Sequence, residues 1–389
     1  MCDETKQDLK TARLNYLKFI QTCRVDDVTY RLTPKSDASA YALCFAIFGY
    51  YLLKQHDLIS LHRDIWAEQI EKNLLEYRSS LADDCLLPGH KPYLQLLTFS
   101  LSALAILSKL ELKSIESLAV EAIPTDMARF LEKINALEGR ARSGNLAMFA
   151  GVLLLFLQDY CGHENEAALK VWSQQHIDSM NRYGFWGSDD SMSHLQFQNG
   201  YHQYELLDYM RIEGDFYEIC AMAVASLSDA DGHFAPYPGG GGCYDYDAVF
   251  LLTTSQAIAK KHQTLLQKTF ATILSEQRPD GGYCESLYVR PITLKSLNKF
   301  VSHVWVAKGR AKQERLRQLL TLQRPKHNRI HTHWSVYSRA WNEANLWDSW
   351  FRMLALARIE VAFDEAKFNE WGFINFPGLG YHHLLSNKA

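Results

Sequence analysis

A chain of 389 residues, 47% hydrophobic and 22% charged, carries enough apolar mass for a large core, which excludes intrinsic disorder. Its 41 basic and 44 acidic residues leave a net charge of −3 with no long block of one sign, so no nucleic-acid partner is expected. Eight scattered cysteines without a CxxC pair and an acidic start, MCDETKQDLK, read as a cytoplasmic protein without a signal peptide, with peripheral membrane contact left open.

Residues 1–38 read as a helical lead-in and 39–389 as one domain. Seven segments in it combine a polar or small-residue start with an apolar run of helical length: 39–53, 93–108, 144–158, 199–211, 246–260, 296–308 and 346–360. Their starts recur about every 50 residues, the signature of a repeat. SAYALCFAIFGYYLL, YLQLLTFSLSALAIL and NLAMFAGVLLLFLQ are apolar round most of their circumference, as inner helices must be, yet none approaches the about 18 residues of a membrane span. Between them HRDIWAEQIEKNLLEYR, ENEAALKVWSQQHIDSMN and QTLLQKTFATILSEQ repeat apolar residues at three- and four-residue intervals, which suits outer helices. Three turns, YGFWG, DGHF and DGGY, place Gly184, Gly232 and Gly281 at spacings of 48 and 49 residues, where positive φ would stop a helix. Strand alternation is missing. The expected fold is all-α: an (α/α) toroid of six or seven helical hairpins, with inner and outer rings and any active site in the central cavity.

Several constellations in this frame carry polar chemistry. Asn199-Gly200-Tyr201-His202-Gln203-Tyr204-Glu205 opens an inner helix, and i, i+3 spacing puts Asn199, His202 and Glu205 on one face. His202 and Glu205 are candidate acid–base groups and Asn199 and Tyr201 candidate substrate contacts, with a satisfied buried network as the alternative. Asp245 and Asp247 follow four glycines at another helix start, with Tyr244 and Tyr246 beside them. They read either as helix-capping acids or as carboxyls kept protonated by apolar walls to donate a proton. His331, His333 and Trp334 precede Trp347 and Asp348 in a polar aromatic stretch that suits sugar stacking or cation stabilisation, or else fastens the last hairpin. The Gly-rich aromatic tail 376–383 is a candidate lid. No cofactor is expected. Zinc or magnesium remain to be weighed, zinc through Cys243, Asp245 and His303.

Two of these stretches carry a resemblance. The segment 277–286, Gln-Arg-Pro-Asp-Gly-Gly-Tyr-Cys-Glu-Ser, resembles the QW repeat of squalene and oxidosqualene cyclases, with Tyr283 in place of Trp, and similar turns occur in protein prenyltransferase β subunits. Cys243-Tyr244-Asp245-Tyr246-Asp247-Ala248 resembles the Asp-x-Asp-Asp-Thr-Ala stretch of class II terpene cyclases, with Ala248 where that family has a further Asp. The resemblance implies a terpenoid-cyclase-like enzyme in which Asp247 protonates an isoprenoid and aromatic faces stabilise the cation. A carbohydrate-active α/α-barrel enzyme acting on a glycan, a lyase, epimerase or glycosidase with Asp247 and Glu205 as acid and base, is the alternative; a non-catalytic binding toroid is the third reading.

Overall fold

Helix accounts for 64% of the chain and strand for 3% in the computed structural model, which describes residues 3–82, 87–378 and 380. In chain order the helices are α1 (Asp3–Thr22), α2 (Ala40–Leu52), α3 (His56–Ser80), α4 (Lys91–Ile106), α5 (Lys113–Ala122), α6 (Met127–Lys133), α7 (Ser143–Cys161) and α8 (Glu166–Asp178). They continue as α9 (His194–Tyr209), α10 (Phe216–Ala225), α11 (Gly242–Leu252), α12 (Gln256–Lys261), α13 (Gln263–Ser275), α14 (Leu294–Val306), α15 (Gly309–Leu322) and α16 (Leu346–Phe363). The strand content is slight: β1 (Tyr283–Cys284) pairs antiparallel with β2 (Ala344–Asn345), and isolated bridges join three further residue pairs.

Six helices, α2, α4, α7, α9, α11 and α16, are buried round most of their circumference, and in that order each packs on the next; α16 packs on both α11 and α2, so the contacts run in a closed cycle. Most of these helices are apolar on nearly every side, as burial on several sides requires, but α9 is polar along much of its length and buries Gln196, Asn199, Gln203, Glu205 and Asp208. The outer helices bury only a stripe: α3 lies on α2 and α4, α5 and α8 on α7, α10 on α11, α13 on α16. Helix α1, within the expected lead-in, contacts α2, α13 and α16. Gly184, Gly232 and Gly281 all adopt positive φ, as the turn sequences require.

Three sequence expectations change. The segment 296–308 is helical, as α14, but lies outside the cycle of buried helices: its buried residues are Ser296, Phe300 and His303, while Leu294, Leu297, Val301 and Trp305 face solvent. An apolar stripe on each side imitates the pattern of an inner helix. The run 246–260 splits, because α11 ends at Leu252 and α12 starts only at Gln256, with Ser255 as its N-cap. Helix α7, at 19 residues and a mean hydropathy of 1.3, is long and apolar enough to cross a membrane, but 67% of that stretch is buried within the protein.

Candidate active site

One cavity of about 580 Å³ opens among the N-terminal halves of α4, α7, α9, α11 and α16. Its remaining wall comes from Glu285, just after β1, and from residues 326–341. Part of that segment is a small hairpin, closed by a bridge between Ile330 and Arg339 and by a hydrogen bond between Ser338 and His331 Nδ1. Asp37 holds its far end by accepting from the Tyr337 and Val336 backbone N–H groups.

Asp247 and Cys243 line the cavity together, being i and i+4 on one face of α11. Asp247 is 3% exposed, and its Oδ1 has no hydrogen-bond partner among the described residues. Burial, and then the like charges of Glu205 and Asp245, hold its carboxyl well above the ordinary carboxylate range, which favours the protonated form.

Asp245, two residues earlier, has the opposite surroundings. Its carboxylate meets His233 Nδ1 at 2.8 Å, the Phe234 N–H at 3.1 Å and Arg352 Nη1 at 3.0 Å. Arg352 and His233 also reach Glu276, at 3.2 and 3.3 Å, and Arg352 donates to the Gly239 carbonyl at 2.8 Å. Burial alone would lower the His233 pKa, but Glu276 and Asp245 outweigh it and keep the imidazolium well above its usual range. Two acids and two bases therefore form a closed, compensated quartet that fastens the glycine loop to α16. A methyl on Gly240 would stand 2.6 Å from Asp245 Oδ2, so this approach requires glycine. Asp245 thus acts on structure and does not line the cavity.

The stripe expected on α9 has a different register. His202 lines the cavity with Gln198, at i, i+4, while Asn199 and Glu205 turn into packing between helices. Asn199 Oδ1 accepts from the Gly144 N–H at 3.4 Å and its Nδ2 donates to the Leu195 carbonyl. Burial pushes Glu205 up to about 8, with the hydroxyls of Tyr201 and Tyr246 and the charge of Arg358 opposing the shift. His202 Nε2 is 2.7 Å from Asn145 Nδ2, and burial with the nearby Lys91 charge lowers the imidazole to about 3. It is therefore neutral at physiological pH and cannot serve there as an imidazolium acid.

The remaining expected contacts divide likewise. His331, His333, Trp334 and Trp347 line the cavity. Tyr246 sits behind its wall, 5.2 Å from the ring of Phe351, and Tyr201 lies 6.1 Å from Tyr246. Tyr244 packs against Tyr237 and Phe197. Asp348 accepts from the Gly242 N–H at 3.2 Å and from Asn345 Nδ2, joining the starts of α11 and α16. Cys243, Asp245 and His303 do not converge, since His303 Nδ1 pairs with Asp229 at 3.2 Å and Asp245 is held in the quartet. Of the expected lid, Phe376 packs on Phe156 and Tyr160, towards the C-terminal end of α7 and away from the cavity. Residues 379 and 381–383 lie outside the described residues.

Sequence reasoning missed several lining groups. Glu285 accepts from Arg339 at 3.0 Å and from the Tyr237 hydroxyl, and burial, then the Asp348 charge, raises its pKa. It was visible as the Glu-Ser end of the 277–286 motif. Lys91, Lys326, Arg329 and Arg339 also line the cavity, Arg339 paired with Glu285 and Arg329 with Glu343. An aromatic cluster lines the same cavity, in which Trp347 lies 4.5 Å from Trp334, 4.4 Å from Phe351 and 5.7 Å from Phe99 between ring centroids. A neutral buried acid beside exposed π faces can deliver a proton and then stabilise positive charge.

No family model and no curated protein matches this chain.

Proposed function

We propose that the cycle of buried helices is the inner ring of an (α/α) toroid of six hairpins, and that its cavity is the active site of a terpenoid-cyclase-like enzyme acting on an isoprenoid. The observation that carries this reading is the contrast within one Asp-x-Asp pair: Asp245 is paired with His233 and Arg352, whereas Asp247 lines an aromatic cavity with its Oδ1 unpartnered and its pKa raised by burial. The proton of Asp247 adds to one carbon of an alkene, whose π pair forms the new C–H bond and leaves a cation on the other carbon. Trp334, Trp347, Phe99 and Phe351 line the cavity to face that cation. A later loss of a proton from carbon ends the sequence, and Asp247 is reprotonated from solvent. Lys91 and Lys326, on the cavity lining, suit an anionic head group, if the polyprenyl chain bears one.

A second reading, a carbohydrate-active enzyme, draws support from Glu285: it is a second carboxyl with a raised pKa on the same cavity, beside tryptophans that suit a sugar face. One experiment separates the two. The protein is incubated in deuterated buffer with linear polyprenyl diphosphates and polyprenyl hydrocarbons, and in parallel with oligosaccharides, and the products are read by mass spectrometry. A cyclised or isomerised isoprenoid carrying one deuteron, absent with Asp247→Asn, is expected. Turnover of oligosaccharides alone transfers the cavity to the second reading, and turnover of neither set removes the isoprenoid assignment.

A further inference from the structure

The surface hairpin α14–α15 shows a feature that the cavity does not need. Its inner side is firmly attached: Arg315, fully buried, donates to the carbonyls of His303 and Leu227 and, at 3.2 Å, to His194 Nε2, while His303 pairs with Asp229. The outer side of α14 is an unbroken apolar stripe, with Leu294 83%, Leu297 50%, Val301 68% and Trp305 80% exposed. On α15, Leu316 and Leu320 continue it, and Lys312 reaches over the Trp305 ring, so the two outer faces adjoin. Exposing four large side chains in register on one short helix is costly in water, at about 1.5–3 kcal/mol for each that goes without burial.

The charge beside this stripe says what covers it. Residues 292–324 contain eight Lys or Arg against one acid, Glu314, in a chain that is acidic as a whole; with Arg315 buried and Lys299 paired to Asp231, six remain for the outer surface. Glu314 is turned inward and accepts from the His194 backbone N–H at 2.6 Å. Lys295, Lys308, Arg317 and Arg324 are exposed along the hairpin and its continuation. A helix with aromatic and aliphatic residues on one face and basic residues flanking it lies in the plane of a bilayer, its apolar side about 5–10 Å into the headgroup boundary. We infer that α14–α15 seats the protein on a membrane surface bearing anionic lipid headgroups. The hairpin leads directly into residues 326–334 of the cavity wall, so the docked face adjoins the cavity. This inference does not depend on the isoprenoid reading.

The full chain is sedimented with phosphatidylcholine vesicles that contain or lack phosphatidylserine. Binding to the phosphatidylserine vesicles is expected, weakened by salt as the headgroup field is screened. The double change Val301→Asp, Trp305→Ser should weaken it at least tenfold while the thermal transition stays in place, since neither side chain is buried. Trp305→Phe should bind normally, and so should Asp247→Asn, which leaves this surface untouched. Failure to bind either vesicle overturns the inference, as does undiminished binding by the double variant. A concentration-dependent dimer of the unaltered chain that the double change dissolves, without vesicle binding, would instead make a second copy the occupant.

Discussion

The backbone carbonyl of Asn15 faces Gly281 so closely that a methyl group on that glycine would stand 2.2 Å from its oxygen. Close approaches to side chains recur one and two repeats earlier: a methyl on Gly232 would meet Thr269 Oγ1 of α13 at 2.9 Å, and one on Gly184 would meet the Tyr204 hydroxyl of α9 at 2.9 Å and Cys220 Cβ of α10 at 3.1 Å. Each turn glycine thus lets the chain pass close to a neighbouring helix, and for Gly281 that helix is α1. Gln277 reinforces this seam by donating to the Ala12 and Gly281 carbonyls. Gly281→Val combines a positive φ with this clash and should cost about 3 kcal/mol. Urea denaturation measures it; an unshifted midpoint would mean that the turn relaxes freely.

Asp247→Asn should separate activity from stability in opposite directions. Turnover should fall at least about 100-fold, the lower range for losing a general acid. Stability at neutral pH should rise. An acid whose folded pKa is raised binds its proton in the folded state after the unfolded chain has released it, so stability is lost as pH climbs from about 4 towards the folded value. The Asn variant avoids that loss and should melt about 1–3 °C higher at pH 7, with the gain fading near pH 4. Melting curves across this range test the sign; a neutral variant that is less stable at pH 7 would show that Asp247 is paired.

Asp245→Asn should do the reverse. Removing one charge from the quartet leaves His233 and Arg352 facing Glu276 alone, at a cost of about 3–5 kcal/mol. Any fall in activity should follow the loss of folded protein. The His233 contribution carries its own pH signature: because its folded pKa is raised, its stabilisation is complete below about 6.5 and is lost on the alkaline side. His233→Gln should therefore flatten the alkaline limb of the stability profile, which calorimetry over that range would record.

The wall aromatics should be sensitive to π character more than to volume. If Trp334 faces a cation, Trp334→Phe should retain most of kcat, whereas Trp334→Leu, similarly apolar, should lose about tenfold. Equal kcat for the two would assign the ring to packing.

How far the sequence disclosed this arrangement depends on how local each signal is. The buried helices α2, α4, α7 and α16 were legible because a helix covered on several sides is largely apolar all round, whereas α9, equally buried, is polar along much of its length. Helix α14 defeated the same rule, since an outward stripe of Leu294, Leu297, Val301 and Trp305 adds to an inward one and composition cannot tell which is covered. The site depends on rotation about helix axes: a change of one position separates Gln198 and His202, which line the cavity, from Asn199 and Glu205, which do not. No local pattern reveals that His233 and Arg352 meet Asp245 from two separate segments and share Glu276 from a third, so its role lay beyond reach of the motif that drew attention to it. Glu285 was nearer to hand, quoted within a turn motif whose glycines took the attention.

The position of α1 has a kinetic consequence. Because α1 rests on α13 and α16 as well as on α2, part of its contact surface waits for partners more than 240 residues away in the chain. Until α16 is in place the cycle of helices stays open, with the apolar faces of α2 and α11 uncovered. Closure is then a late, long-range step of the kind that slows folding and leaves intermediates vulnerable to aggregation. Joining the two ends through a flexible linker and reopening the chain between α5 and α6 would move that opening, letting α1 and α16 emerge as sequence neighbours.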